Sequence, residues 1–280
     1  MSDSVELLRE LIAVATRNPG GDERKLARLL ADKLSAFSPD NLECVDVPRD
    51  ASSSDLGAYV FARFGAAKTL INAHIDTVPP NAEWSADPCR AIVTHDALVG
   101  LGSADIKGAI AALLCAMQNV APRDVAILFS GDEECAGTCM NAFLASPWAR
   151  TIERALVCEP TGCRAGTRHR GMIAMSAALV GHGGHSSRAD DLPAPSAELA
   201  RLAVRLYELG QARRADGPAG FTGLCMNVAA LDGGIAVNVV PESACLSFSV
   251  RPAPGADSDA IHRELLDLCA NVVPAARVTT

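Results

Sequence analysis

Thr69-Leu70-Ile71-Asn72-Ala73-His74-Ile75-Asp76-Thr77-Val78-Pro79 is the stretch that decides the fold class. Residues 69–73 are few, mostly apolar and preceded by Lys68, which suits a buried strand. The run ends by presenting His74 and Asp76. In extended chain, residues i and i+2 point to the same side. A neutral imidazole can bind a metal through one ring nitrogen, while a carboxylate beside it holds the other N–H and fixes the tautomer. Taken alone, His-x-Asp could equally be a polar strand end. The pattern of an apolar run followed by a metal-type ligand recurs, however.

Working outward, residues 58–64, 124–129 and 155–158 also read as strands. The run at 124–129 is followed by Gly131-Asp132-Glu133-Glu134, and the run at 155–158 by Glu159-Pro160. Helical stripes precede and separate them. Leu7, Leu8, Leu11 and Ile12 form one, broken by Asn18-Pro19-Gly20-Gly21. Leu26, Leu29, Leu30 and Leu34 form a second, with Asp22 placed to cap it. Residues 107–118 form an Ala/Leu-rich buried helix. Strands alternating with helices predict a mostly parallel sheet covered by helices. In such sheets the binding crevice lies beyond the carboxyl ends of the strands, so ligands far apart in sequence converge on one edge.

Beyond residue 166 the pattern changes. Strands are expected at 172–180, 227–231, 244–250 and 276–280, with helices starting after Pro193 and Pro195 and over 261–269. That order, β-α-β-β-α-β, predicts a split βαβ sandwich. The expected domains are therefore 1–166 and 167–280.

The 280 residues are 49% hydrophobic, enough for two globular domains. A net charge of −8, with no block of Lys and Arg, argues against nucleic acid or an anionic membrane as partner. No apolar run approaches the length of a membrane span. Residues 1–6 lack the pattern of a secretory signal, so ten cysteines read as reduced thiols of a cytoplasmic protein. Cys135 and Cys139 suggest a metal pair, but no second Cys/His pair at zinc-finger spacing accompanies them.

The candidate ligands are His74, Asp105, Glu134 and Glu159, with Glu133 as proton carrier. Mixed imidazole and carboxylate ligands suit zinc, or cobalt or manganese. Two such ions need a bridging carboxylate, and a free carboxylate beside them can move a proton from water to a leaving amine. Glu133-Glu134 alone could be a solvated acidic turn. Asp105 alone could be a helix N-cap ahead of Lys107.

Five motifs then occur in order. They are 73–79, Gly102-Ser103-Ala104-Asp105-Ile106-Lys107-Gly108, 131–134, Glu159-Pro160-Thr161 and Gly181-His182-Gly183-Gly184-His185-Ser186. As a set the chain resembles the co-catalytic zinc metallopeptidase family of aminoacylases, carboxypeptidase G and acetylornithine deacetylase. Trp84-Ser85-Ala86-Asp87-Pro88, Thr222-Gly223-Leu224 and Asp232-Gly233-Gly234 make it most similar to the acetylornithine and acetylcitrulline deacetylase branch.

The resemblance implies that His74 and Glu159 bind one zinc, that Asp105 bridges, and that Glu134 binds the second. It implies that Asp76 orients His74 and that Glu133 is the general base. The second domain becomes a lid and dimerisation domain. Its His185 would stabilise the oxyanion in a neighbouring subunit, and Arg170, Asn238 and Arg251 would hold the substrate carboxylate. His182, His95, His169 and His262 take no role. The implied activity is deacetylation of N-acetylornithine or N-acetylcitrulline in arginine biosynthesis, by a homodimer. Succinyl-diaminopimelate desuccinylase or a dipeptidase is the alternative within the family. One departure stands out. The family supplies a further His from beyond the lid, and no His follows His262 here. The expectation is a C-terminally truncated catalytic domain with an incomplete second metal site. A catalytically silent dimerising or binding module is then the alternative outside the enzyme class.

Overall fold

The computed structural model describes residues 4–49 and 55–280, so residues 1–3 of the N-terminal stretch lie outside the described residues. The chain forms two compact units, Met1–Arg164 and Ala165–Thr280.

In the first unit, α1 (Ser4–Ile12) and α2 (Glu23–Ser35) precede β1 (Asn41–Pro48), β2 (Leu56–Phe64) and β3 (Thr69–His74). A small hairpin, β4 (Ile92–Val93) and β5 (Leu98–Val99), leads to α3 (Gly108–Asn119), β6 (Val125–Ser130), α4 (Thr138–Ala145) and β7 (Arg154–Val157). The five-stranded sheet has the order β1-β2-β6-β3-β7. β6, β3 and β7 pair in parallel, while β2 is antiparallel to both β6 and β1. Four of the five strands therefore run one way.

The pleat explains why both faces of this sheet are covered. Ala58, Val60 and Ala62 of β2 face a layer built by α1, α2 and α3, through Leu11, Leu26, Leu30, Ile110 and Leu114. Tyr59 and Phe61, one residue out of step, face α4 through Cys139 and Phe143. Phe61 lies 5.4 Å from Phe143 and stacks on Trp148 at 5.7 Å. Burying a ring of this size contributes about 2–3 kcal/mol. Asp22 caps α2 by accepting the Lys25 N–H, and Leu26, Leu30 and Leu34 line its buried side at i, i+4 spacing.

β1 was not anticipated from the sequence. It is one edge of the sheet, pairs only with β2 among the described residues, and carries Glu43 and Asp46, so its apolar alternation is weak.

The second unit runs β8 (Ile173–Val180), β9 (Gly184–His185), α5 (Pro195–Ala212), β10 (Asn227–Gly233), β11 (Val239–Val240), β12 (Ser243–Val250), α6 (Ser258–Val272) and β13 (Arg277–Thr279). Its antiparallel sheet has the order β10-β12-β8-β13, with β9 and β11 forming a separate ribbon. Leu199, Leu202 and Leu206 of α5, and Leu265 and Cys269 of α6, pack on Met175, Ala177, Leu246 and Phe248 of the sheet. The β-α-β-β-α-β order read from the sequence is present. Among the described residues no helix is long and apolar enough to cross a membrane.

Candidate active site

Because β3, β6 and β7 are parallel, their carboxyl ends share one edge. His74 stands opposite Ser130, and Asn72 opposite Val157. The next residues along each strand are Ile75 and Asp76, the acidic turn 131–134, and Glu159. Asp105 arrives from a tight turn at 103–107 ahead of α3. Gly102 makes this approach possible. Its φ is +74°, and a Cβ there would lie 2.5 Å from Thr77 Cγ2 and 3.2 Å from the Asp105 carbonyl.

His74 is buried. Its Nδ1 lies 3.0 Å from the Asp76 backbone carbonyl and 3.5 Å from Asp76 Oδ1, so the carbonyl is the closer acceptor. Its Nε2 lies 2.9 Å from Asp105 Oδ1. Burial alone would lower the His74 pKa, but contacts with Asp76 and Asp105 outweigh it and push it up to about 9. Asp76 is completely buried. Its Oδ1 accepts the Glu133 N–H at 3.1 Å, and its Oδ2 accepts the Glu134 N–H at 3.0 Å and the Asn18 amide at 2.7 Å. Burial would raise its pKa. The bonds from His74 and from these donors prevail and hold it below the usual carboxylate value. Glu134 moves the other way, raised first by burial and then by the carboxylates of Asp105, Glu133 and Asp76.

Two groups of ligand atoms form around His74. His74, Asp105 and Glu159 bring one donor atom each within 4.8 Å of one another, and so do His74, Glu133 and Glu134. This donor set, one imidazole with several carboxylates on one strand edge, fits a hard-to-borderline divalent cation. Lys107 is not part of it. Its Nζ is buried and donates to the carbonyls of Leu11 at 3.1 Å and Val14 at 2.9 Å, closing the end of α1. Burial pushes its pKa down to about 8.

The reading of Asp105 as a simple helix cap is corrected. α3 begins at Gly108 without a side-chain cap, and Asp105 instead meets His74. Cys135 is exposed, Cys139 is buried with its thiol pushed up to about 12 by burial, and among the described residues neither joins a metal-type group.

In the second unit His185 pairs with Val239 across the β9–β11 ribbon, and the Ser186 N–H donates to the Asn238 carbonyl at 3.0 Å. This places His185 beside Asn238. His185 Nδ1 accepts the Ser187 N–H at 3.2 Å, which fixes the tautomer that carries its proton on Nε2. Arg170 and Arg251 are also neighbours. The Arg170 guanidinium donates to the carbonyls of Gly223 and Arg251, both at 2.9 Å, and of Thr222 at 2.7 Å, and it lies 5.7 Å from the Phe221 ring centre. Arg251 and Asn238 are exposed. Sequence reasoning missed Asn18, which it took only as part of a helix break.

An open cleft of about 390 Å3 takes in His74, Glu133 and Glu159, with Met140 and Val157 on its apolar side. A covered α/β sheet whose parallel strands end in such a donor set defines a candidate metal centre. The chain belongs to Peptidase family M20/M25/M40, whose model matches residues 70–273. It is 36% identical over 273 residues to an N-acetyl-L-citrulline deacetylase of Xanthomonas campestris, covering 93% of this chain and 69% of that protein. It is 30% identical over 266 residues to an acetylornithine deacetylase of Photorhabdus laumondii, covering 90% of this chain and 68% of that protein. Its fold is similar to that of an M20 family metallo-carboxypeptidase from Sulfolobus solfataricus, with a TM-score of 0.76 at 17% identity, over 100% of this chain and 78% of that one. The chain spans 69% of the length of the first of these relatives and 46% of that of a probable carboxypeptidase of Neosartorya fischeri that it also matches.

Proposed function

We propose that the protein hydrolyses the amide bond of an N-acyl amino acid, with N-acetylcitrulline or N-acetylornithine as substrate. The observation that carries this reading is the meeting of two ligand groups at His74, on the edge where three parallel strands end.

His74, Asp105 and Glu159 would hold one divalent cation, and Glu134 would contribute to a second. Zinc is the first choice, with cobalt or manganese as substitutes. The metal supplies Lewis acidity to the amide carbonyl and to the attacking water. Glu133 is exposed in the cleft and takes the proton from water, then returns it to the leaving amine nitrogen. The products are a carboxylate and a free amino acid. The cleft is the size for such a substrate, and Met140 and Val157 suit a small apolar acyl group.

The second unit serves as lid and dimerisation domain. His185, with its proton on Nε2, is a donor for the oxyanion formed in a neighbouring subunit. Arg251 and Asn238 are exposed and able to meet the substrate carboxylate. The ten cysteines form no disulfide, which fits a reducing compartment such as the cytoplasm.

The test is a substrate panel with zinc-loaded protein. It sets N-acetylcitrulline and N-acetylornithine beside N-succinyl-diaminopimelate and a dipeptide. Glu133→Gln is expected to keep the metal and lose about 10²–10⁴-fold in turnover. Unchanged turnover removes Glu133 from its role. One ion or fewer per chain with no hydrolysis favours a silent binding module.

A further inference from the structure

The hydrogen bonds around Asp76 continue away from the cleft. Asn18 is buried, and its Nδ2 donates to two carboxylates, Asp76 Oδ2 and Glu23 Oε1, each at 2.7 Å. Glu23 is also buried and pairs with Arg49 at 2.5 Å, while the second terminal nitrogen of Arg49 reaches Asp132 Oδ1 at 2.6 Å. Asp132 accepts the Thr138 N–H at 2.8 Å and stands one peptide before Glu133. The Glu133 N–H returns to Asp76, so Asp76, Asn18, Glu23, Arg49 and Asp132 close a ring.

The backbone fixes this arrangement. The Asn18 N–H donates to the Thr77 carbonyl at 2.8 Å, and the Thr77 N–H to the Thr16 carbonyl at 3.1 Å. Thr16 Oγ1 donates to the Ile75 carbonyl at 2.7 Å. Residues 16–18 therefore run alongside 75–77.

The ring holds three buried carboxylates against one guanidinium. Glu23 Oε2 is buried with no hydrogen-bond partner among the described residues. Apolar side chains of similar volume would fill this space at less cost, because each buried charge loses its hydration. What the polar ring provides that they would not is two-ended control of Asp76. It clamps the carboxylate that receives the backbone of the acidic turn, and it ties that turn down again through Asp132.

We propose that Asn18, Glu23 and Arg49 are positioning residues for the metal centre. They act through Asp76 and Asp132, setting His74 and the Glu133–Glu134 turn at the separation a cation needs. All three precede residue 70, where the family match begins. The consequence for the metal rests on the function proposed above. The geometry does not.

The test compares Asn18→Ala with Leu199→Ala, a core substitution in the second unit that lowers stability elsewhere. Hydrogen–deuterium exchange of a peptide covering residues 131–137, in metal-free protein, is expected to quicken at least about tenfold in Asn18→Ala and to stay unchanged in the control. Zinc affinity, read by chelator competition, is expected to weaken about 10–100-fold in Asn18→Ala alone. Unchanged exchange overturns the proposal. Faster exchange with wild-type zinc affinity also overturns it, because the ring would then steady the turn without serving the ligands. If the wild type binds no zinc while exchange still quickens, the metal reading fails and the positioning of the turn stands. If Asn18→Ala does not fold, Arg49→Lys takes its place with the same expected results, since one ammonium cannot reproduce the two-nitrogen span from Glu23 to Asp132.

Discussion

Asp76 and Glu134 are 58 residues apart in the chain, yet the Glu134 N–H donates to Asp76 Oδ2 at 3.0 Å. The carboxylate that follows β3 thus organises the turn that follows β6, in addition to standing beside His74.

Asp76→Asn tests this double duty. An amide has one acceptor oxygen, so whichever way it turns an N–H group faces another donor from Glu133, Glu134 or Asn18. Metal affinity is expected to fall about 10–100-fold, and stability by about 1–3 kcal/mol. Chelator competition and urea unfolding measure the two. Wild-type values in both would show that Asp76 organises neither side.

Gly131→Ala is expected to lower stability by about 1–3 kcal/mol through overpacking. A Cβ at this position would overlap the Glu23 carboxylate and come within 2.9 Å of the Ala58 carbonyl. The Glu23 side chain is pinned by Arg49 and Asn18, so it has little room to withdraw. Urea midpoints for the two proteins settle the point, and equal midpoints would mean that Glu23 gives way freely.

Arg170→Lys bears on the lid. The fork of Arg170 ties together three carbonyls, and lysine can satisfy only part of that set. A loss of about 1.5–3 kcal/mol in stability is expected. A raised KM at unchanged stability would instead place the guanidinium on the substrate.

Lys107→Met isolates a pH effect. Burial lowers the Lys107 pKa from 10.5 to about 8, so in the folded chain the amine sheds its proton more readily than in the unfolded chain. Between pH 8 and 10.5 the unfolded state binds more protons, and stability from this residue rises with pH. It is fully present above 10.5 and is lost as pH falls through 8. The span corresponds to roughly 3 kcal/mol. Cys139, with its thiol pushed up to about 12, works in the opposite direction above pH 9, so the difference between wild type and variant is the quantity to measure. Identical pH profiles would contradict the role given to Lys107.

Much of the site was legible because parallel strands turn a one-dimensional pattern into a shared edge. His74, Glu133, Glu134 and Glu159 each follow an apolar run, and the pairing of β3 with β6 and β7 gathers them. Asp105 was readable only as one of two alternatives, since an acidic residue ahead of a helix has the same signature whether it caps or binds. Asn18, Glu23 and Arg49 left no signal. Their residue types belong to no ligand pattern, and the bonds that tie them to Asp76 and Asp132 cross 58 and 83 positions of chain. β1 escaped because an edge strand shows half its residues to water. The β-α-β-β-α-β order of the second unit was readable because α5 carries a long leucine stripe and β12 alternates strictly. What the guanidinium of Arg170 touches was not, because three backbone carbonyls have no sequence signature.

The ring and every ligand named here fall between Asn18 and Glu159, inside the first compact unit. During synthesis on the ribosome, these residues are all polymerised before β8 exists. The nascent first unit therefore carries these candidate ligands, and the ring that steadies them, while the second is still being made.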